Sequence, residues 1–198
     1  MNVPTIAKSE FILGGQRSGK SRRAEMLARA WLDRSDTHRA VLIATAQPWD
    51  DEMRQRITRH QADRATRVPG MATVEEPLAL AEAIAQHGDA NTLVVVDCLT
   101  LWLTNALMPI EAESLKENQP VAPEEYARTA SLLIAIKDNP GPVVLVGNEI
   151  GLGVIPLGRE VRAFVDALGR LNQDVASVCQ RVTLMAAGLP LHLKDETT

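Results

Sequence analysis

The stretch that most constrains the fold of this chain is residues 10–21, where a short apolar run leads directly into a glycine-rich loop. The loop, GGQRSGKS, matches the pattern G-x-x-x-x-G-K-[ST], with Phe11, Ile12 and Leu13 before it and a helix-forming run after it. A strand, a glycine loop and a helix in this order form the context of a phosphate-binding loop, or P-loop. Glycine-rich turns also match the pattern by chance, but the strand and the helix together favour nucleotide binding.

Each residue type in the loop has a physical role in holding phosphate. Glycines let the backbone turn so that successive N–H groups point at phosphate oxygens, and the following helix adds the positive end of its dipole. Lys20 would reach the β- and γ-phosphates, and the Ser21 hydroxyl is a natural ligand for the Mg²⁺ ion that bridges them. The predicted phosphate-binding residues are Gly14, Gly15, Gln16, Arg17, Ser18, Gly19, Lys20 and Ser21.

Composition limits the class of protein. A chain of 198 residues with 45% hydrophobic side chains suits a single domain spanning residues 1–198. The net charge of −4 and the aromatic content of 3% argue against a nucleic-acid partner, since both a basic field and stacking platforms are missing. No run approaches the roughly 18 apolar residues of a membrane span. The first ten residues lack a basic segment followed by an apolar run, so we expect a cytoplasmic protein without a membrane span.

The cysteines and three of the histidines are predicted to have no part in the chemistry. Cys98 and Cys179 lack CxxC spacing and clustered histidines, which favours buried reduced thiols over a zinc site or a disulfide. His38, His87 and His192 lie beside predicted loops or the C-terminal tail, and we expect them to be solvated.

The remaining pattern alternates apolar runs with amphipathic stretches. This alternation predicts an α/β fold of the P-loop NTPase type, in which a mostly parallel sheet is covered by helices on both faces. The predicted strands after the first are residues 40–44, 92–97, 142–147 and 181–186, and the predicted helices are 21–34, 50–67, 77–87, 99–108, 124–138 and 158–178. Residues 109–123 contain three prolines and are predicted to form a mobile loop.

Polar residues follow the predicted strands at their carboxyl ends, where open α/β sheets bind ligands. Asp97 follows a run of apolar residues, as a carboxylate that holds Mg²⁺ in P-loop enzymes does. An aspartate that caps the next helix would give the same pattern. Thr100 and the pair Asn148 and Glu149 occupy similar positions after their strands.

The predicted helix at 50–67 has little to bury and is unusually basic. Its arginines are Arg54, Arg56, Arg59, Arg64 and Arg67. Such a helix is often simply solvated, but the spacing i, i+4, i+8 puts Arg56, His60 and Arg64 on one face of this helix in an acidic protein. Imidazole is a nucleophile near neutral pH, so His60 could attack a phosphorus atom whose charge the arginines neutralise.

Several motifs together resemble one family, the bifunctional adenosylcobinamide kinase / adenosylcobinamide-phosphate guanylyltransferases of cobalamin biosynthesis. They span nearly the whole chain: GGQRSGKS at 14–21, IATAQPWDDEM at 43–53, RITRHQADR at 56–64, VEEPL at 74–78, VVDCLTLWLTN at 96–105, VGNEIGLGVIP at 146–156 and GRLNQ at 169–173. The glycine loop is common to many families, whereas the segment around His60 together with DCLTLWLTN and NEIGLGVIP is specific.

The resemblance implies roles for particular residues. His60 matches the histidine that becomes guanylylated, and Lys20 is the catalytic lysine of the loop. The remaining positions implied to contact the guanine nucleotide are Ala44, Thr45, Ala46, Gln61, Ala62, Asp63, Arg64, Glu75 and Asp97. The resemblance also implies a homotrimer, with adenosylcobinamide and its phosphate as substrates beside GTP and ATP.

The implied function is phosphorylation of adenosylcobinamide by ATP or GTP, followed by transfer of GMP from GTP to give adenosylcobinamide-GDP. Two alternatives stay open on the residues alone. One is a P-loop kinase of another small alcohol, in which His60 never becomes covalent. The other is a non-enzymatic nucleotide-binding switch.

Overall fold

The computed structural model describes residues 4–108, 123–154 and 158–197, and a seven-stranded sheet forms their centre. The strand order is β3-β2-β4-β5-β1-β6-β7, and every neighbouring pair is parallel except β6 and β7. The strands are β1 (Ser9–Gly14), β2 (Arg39–Ala44), β3 (Ala72–Glu75), β4 (Thr92–Asp97), β5 (Val143–Val146), β6 (Arg181–Ala186) and β7 (Leu189–Asp195). The described chain therefore has the α/β fold that the alternating pattern predicts.

Six helices connect these strands in the described part of the chain. They are α1 (Lys20–Leu32), α2 (Asp51–Arg67), α3 (Leu80–His87), α4 (Leu99–Leu107), α5 (Pro123–Asp138) and α6 (Arg159–Val178). Each predicted helix is present, with its ends within three residues of the prediction. None of the described helices is long and apolar enough to cross a membrane.

The apolar core lies on both faces of the sheet, because side chains on a strand alternate between faces. Ile12 packs with Leu27 of α1 on one face. Phe11 and Leu13 pack on the other face, in a cluster with residues of α3, α4, α5 and α6 such as Leu103. Strands covered on both faces read as continuous apolar runs, which is why the sequences of β4 and β5 are readily recognised as strands.

The sequence pattern did not predict the two edge strands, β3 and β7. β3 has four residues, and most of their side chains are exposed, so it lacks an apolar run. β7 lies in the segment that we expected to be a C-terminal tail. Pro190 lies within β7, and six of its seven residues are exposed, so β7 also lacks an apolar run. Edge strands tolerate proline and exposure, since only one of their sides is hydrogen-bonded. The predicted mobile loop at 109–123 lies outside the described residues, apart from Pro123 at the start of α5.

Two of the histidines expected to be solvated have partners in the fold. His38 is stacked on Trp31 with ring centroids 3.8 Å apart, and its Nδ1 lies 2.9 Å from the Trp31 carbonyl oxygen. His192 is exposed but lies in β7, where its Nδ1 is 3.2 Å from Thr183 Oγ1. The prediction of solvated side chains is therefore wrong for His38 and incomplete for His192.

The prediction of buried, reduced thiols is confirmed, since Cys98 and Cys179 are free and buried. Burial raises the pKa of Cys98 to about 11 and that of Cys179 to about 12. Both thiols therefore stay protonated near neutral pH and are poor nucleophiles.

Candidate active site

The glycine loop joins β1 to α1 with a backbone that only glycine adopts easily. Gly14 has a φ of 153° and Gly19 a φ of 100°. A Cβ atom on Gly14 would lie 2.5 Å from the Met185 carbonyl oxygen, so a larger residue would also push the loop away from β6. Lys20, the first residue of α1, is buried, and its ammonium donates a 2.7 Å hydrogen bond to the Gly15 carbonyl oxygen. This hydrogen bond fixes the position of the Lys20 ammonium beside the loop.

Ser21 and Asp97 meet at the carboxyl end of the sheet. The Ser21 side chain and the Asp97 carboxylate line the same cleft, and Ser21 lies close enough to lower the pKa of Asp97. Burial raises the pKa of Asp97, while the Ser21 side chain and the charges of His60, Lys20 and Arg64 act in the opposite direction. Burial lowers the pKa of Lys20, and the nearby Asp97 partly offsets this effect. A carboxylate and several basic groups therefore share one small, partly dehydrated space.

Around this pair lies an open cleft with a cavity of about 190 Å³. One wall is formed by the loop and α1, and another by the ends of β2, β3 and β4; the third is α2. The predicted residues that line the cleft are Gln16, Ser21, Ala44, Ala46, His60, Gln61, Arg64, Glu75 and Asp97. Asn148, which follows β5, also lines it. The topology thus brings residues from separate stretches of chain to one place, as expected for strands that end at the same edge.

Helix α2 begins where Asp50 caps it by accepting a 2.7 Å hydrogen bond from the Met53 backbone N–H. Among the residues of α2, none is buried. Arg56, His60 and Arg64 all face the cleft, which confirms that they share one side of the helix. A polar contact joins this side of α2 to the glycine loop. With its amide oxygen turned toward Arg56, Gln16 accepts hydrogen bonds of 3.1 and 3.2 Å from the guanidinium.

The other arginines of α2 have different surroundings. Arg54 pairs with Asp51 at 2.8 Å, and Arg59 does not line the cleft. Arg67 forms a 2.9 Å ion pair with Glu25 of α1. The expected cluster of five arginines around His60 is therefore reduced to Arg56 and Arg64 within the cleft.

Some predicted nucleotide contacts face away from this cleft. Thr45 is fully buried, and its hydroxyl donates to the Cys98 carbonyl oxygen at 2.7 Å, so the hydroxyl is not directed at a ligand. Asp63 pairs with Arg67 at 3.3 Å. The Ala62 side chain lies on the exposed surface of α2. Contacts from these three residues to a nucleotide stay a prediction.

Sequence reasoning missed Glu25, which is buried and lines the cleft. Helical spacing could have predicted that Glu25 faces the cleft, because it lies four residues after Ser21 and therefore on the same side of α1. Nothing local indicated its partner Arg67, which is 42 residues away along the chain.

A family model described as "Cobinamide kinase / cobinamide phosphate guanyltransferase" matches residues 10–193. The chain belongs to this family. The match confirms the resemblance drawn from the motifs, and it identifies the chain as an enzyme of the CobU family that combines a kinase with a nucleotidyltransferase.

Relatives from three bacteria extend this result over almost the full chain. A Pseudomonas aeruginosa protein named bifunctional adenosylcobalamin biosynthesis protein CobP is 45% identical, covering 94% of this chain and 98% of that protein. Proteins named bifunctional adenosylcobalamin biosynthesis protein CobU from Escherichia coli and Salmonella typhimurium are 36% and 34% identical, each covering 93% of this chain and 98% of their own.

Solved structures with little sequence similarity share the fold. An ATPase domain of known structure superimposes with a TM-score of 0.53 at 11% identity, covering 96% of this chain and 78% of that one. A Pyrococcus horikoshii protein gives a TM-score of 0.52 at 10% identity, with 98% of this chain and 89% of that one covered. At these identities the likeness concerns the fold, and it agrees with the predicted P-loop NTPase type.

Proposed function

We propose that this chain phosphorylates adenosylcobinamide and then transfers GMP to the product through a covalent His60 intermediate. The single observation that carries the proposal is that His60, Arg56 and Arg64 open onto the same cleft as Ser21 and Asp97. A nucleophile, cations for phosphate oxygens and a phosphate-binding loop are the parts that nucleotidyl transfer needs. The family membership and the names of the curated relatives support the choice of substrates.

The residues present fit a magnesium ion. Ser21 and Asp97 offer hard oxygen ligands that line the same cleft, and Mg²⁺ is held by one or two such groups together with water and substrate phosphates. In the described part of the chain, no group of three or more His, Cys, Asp or Glu side chains is arranged to hold a metal by itself. When bound, the ion would neutralise charge on the phosphates.

In the kinase step, the aminopropanol hydroxyl oxygen of adenosylcobinamide forms a bond to the γ-phosphorus of ATP or GTP. The bond from that phosphorus to the β,γ-bridging oxygen breaks, the nucleoside diphosphate leaves, and the hydroxyl proton is released to solvent. Lys20 would stabilise the charge that develops on the transferred group, because its ammonium is already fixed beneath the loop.

In the guanylyl step, a ring nitrogen of His60 forms a bond to the α-phosphorus of GTP, and pyrophosphate leaves with the α,β-bridging oxygen. A phosphate oxygen of adenosylcobinamide phosphate then attacks the same phosphorus. The phosphorus–nitrogen bond breaks, which frees His60 and gives adenosylcobinamide-GDP. Arg56 and Arg64 would neutralise the phosphate oxygens during both displacements.

Two further parts of the proposal rest on the sequence and on its family resemblance. The enzyme would act as a homotrimer, and it would work in the cytoplasm, where ATP and GTP are available. Neither depends on the geometry of the cleft.

The proposal is tested by pyrophosphate release from GTP in the presence of Mg²⁺ and without a corrinoid. We expect a burst of about one pyrophosphate per His60, because the covalent intermediate cannot turn over without its acceptor. A non-enzymatic switch would release none. A kinase of another alcohol would also release none, and it would phosphorylate that alcohol while leaving adenosylcobinamide unchanged.

Replacing Asp97 with asparagine should weaken Mg²⁺-dependent nucleotide binding more than metal-free binding. The substitution removes a hard anionic oxygen and keeps the shape of the side chain. Titration calorimetry with GTP, with and without Mg²⁺, measures both affinities. Asp138→Asn, at the end of α5, is the matched control and should change neither. Equal losses under both conditions would mean that Asp97 serves only the structure.

A further inference from the structure

A second cavity lies on the opposite side of the glycine loop from the cleft that holds His60. Its volume is about 600 Å³, within the range of cavities that hold small molecules. The loop residues that line it are Arg17, Ser18 and Gly19, and none of them lines the first cleft. The two cavities therefore share one phosphate loop as their common wall.

The loop backbone divides neighbouring side chains between the two cavities. Gln16 lines the cleft and contacts Arg56, whereas Arg17 has a φ of 55° and lines the second cavity. The turn between β6 and β7 forms the far wall, where the Gly188 backbone N–H donates a 3.1 Å hydrogen bond to the Ser18 carbonyl oxygen. The wall is therefore attached directly to the loop.

The lining of the second cavity combines positive charge with apolar surface. Arg17 and Arg22 are exposed, and neither has an ion-pair partner among the residues that the structure describes, whereas Arg23 pairs with Glu10 at 2.8 Å. The apolar part comes from Met26, Leu27, Met185 and Pro190, and the Met26 side chain is 54% exposed. Within the described ranges, no carboxylate lines this cavity. A ligand that suits it is anionic at one end and flat and apolar at the other.

The two proposed steps take place at different phosphorus atoms of a nucleoside triphosphate. The guanylyl step needs the α-phosphorus beside His60, with the nucleoside in the cleft. The kinase step needs the γ-phosphorus to face an incoming alcohol. Ser21 and Asp97 line the cleft and Lys20 lies near Asp97, so the γ-phosphorus would point into the cleft. A nucleoside in the cleft would then occupy the space that the alcohol needs.

We propose that the second cavity binds the base and ribose of the nucleoside triphosphate that serves the kinase step, with its γ-phosphate directed over the loop into the cleft. Arg17 and Arg22 would contact the phosphates nearest the ribose, and Met26, Leu27 and Pro190 would contact the base. This inference rests on the proposed function, and it assigns the two half-reactions to nucleosides on opposite sides of one loop.

The chemistry of the two cavities predicts different base preferences. Glu25 and Glu75 line the cleft and can accept hydrogen bonds from the adjacent N–H groups of guanine. The second cavity has apolar groups and cations around the base, and these discriminate poorly between purines. This contrast agrees with the nucleotides of the proposed function, which are ATP or GTP in the kinase step and GTP in the guanylyl step.

Arg22→Glu and Met26→Glu test the inference on the full-length enzyme. Each should raise the KM for ATP in the kinase step about 10-fold or more, because the phosphates or the base would meet a carboxylate. The rate of His60 labelling by GTP should stay within about twofold of the wild-type rate, since its nucleoside lies in the cleft. Arg29→Glu is the matched control, because Arg29 lies on the same helix, outside both cavities, and should change neither value.

Calorimetric binding of the non-hydrolysable analogue AMP-PNP gives the same comparison without turnover, and affinity should fall about 10-fold in both cavity variants. Equal losses in the kinase step and in His60 labelling by GTP, or unchanged ATP affinity in both variants, would overturn the inference. A wild-type enzyme that neither phosphorylates adenosylcobinamide nor labels His60 would contradict the proposed function instead, and AMP-PNP binding alone would then decide this inference.

Discussion

Lys20→Ala is expected to give a folded protein that has lost phosphoryl transfer to adenosylcobinamide by a factor on the order of 100 to 1,000. Lys20 is buried beneath the loop, and its ammonium is fixed by a 2.7 Å hydrogen bond to the Gly15 carbonyl oxygen. A fixed charge stabilises the transition state without reorganising during the reaction, so its removal is costly for catalysis. The substitution leaves the Gly15 carbonyl oxygen without its donor. Because Gly15 is exposed, a water molecule can donate to this oxygen instead.

Circular dichroism and a kinase assay with labelled ATP measure the two expectations separately. Lys137→Ala is the matched control, because Lys137 is an exposed lysine in the last turn of α5 and does not line the cleft. It should keep wild-type activity. Phosphorylation at the wild-type rate by folded Lys20→Ala would contradict the assignment of the glycine loop.

The parts of the fold that follow local rules could be predicted from the sequence. The continuous apolar runs of β1, β4 and β5 predict strands buried on both faces, because parallel strands between helices have no exposed side. Their carboxyl ends share one edge, which places Asp97 and Asn148 beside the loop. Helical spacing placed Arg56, His60 and Arg64 together in the same way.

Strand alternation would also have corrected one expectation about the nucleotide contacts. Ala44 and Ala46 face the cleft, so Thr45 between them points the other way. Its hydroxyl accepts a 2.9 Å hydrogen bond from the Cys98 backbone N–H and thereby joins the ends of β2 and β4. The position of the strand ends predicts where the site lies. The alternation of side chains along each strand is also needed to predict which of them face the site.

Other features depend on contacts between distant parts of the chain. The ion pair between Glu25 and Arg67 joins α1 to α2, and no local pattern relates these two residues. The orientation of α2 decides which arginines reach the cleft, so the position of Arg59 outside it could not be derived. The second cavity depends on the β6–β7 turn, and β7 itself lacked a readable pattern.

His60→Ala is expected to lose guanylyl transfer by a factor on the order of 1,000 or more, because the variant has no nucleophile. The kinase step should stay within a few-fold of the wild-type rate, since it uses Lys20 and not the imidazole. Side-by-side assays of GDP-corrinoid formation and of phosphate transfer from ATP measure this split. His60 is exposed, so the fold should tolerate the change.

The matched control is His87→Ala, in the last turn of α3, which should keep both reactions. Loss of both activities in folded His60→Ala would assign a general role to His60 in holding nucleotide. Unchanged guanylyl transfer would mean that another group carries the GMP.

The most direct test of the covalent intermediate is peptide mass spectrometry of the enzyme after incubation with GTP and Mg²⁺ and without corrinoid. We expect one GMP on the peptide that contains His60, stable at neutral to alkaline pH and lost in acid, as for a phosphorus–nitrogen bond. Arg56 and Arg64 favour this attack because they neutralise the α-phosphate oxygens in the cleft. An adduct on another residue, or the absence of any adduct from enzyme that phosphorylates adenosylcobinamide, would contradict the proposed guanylyl transfer through His60.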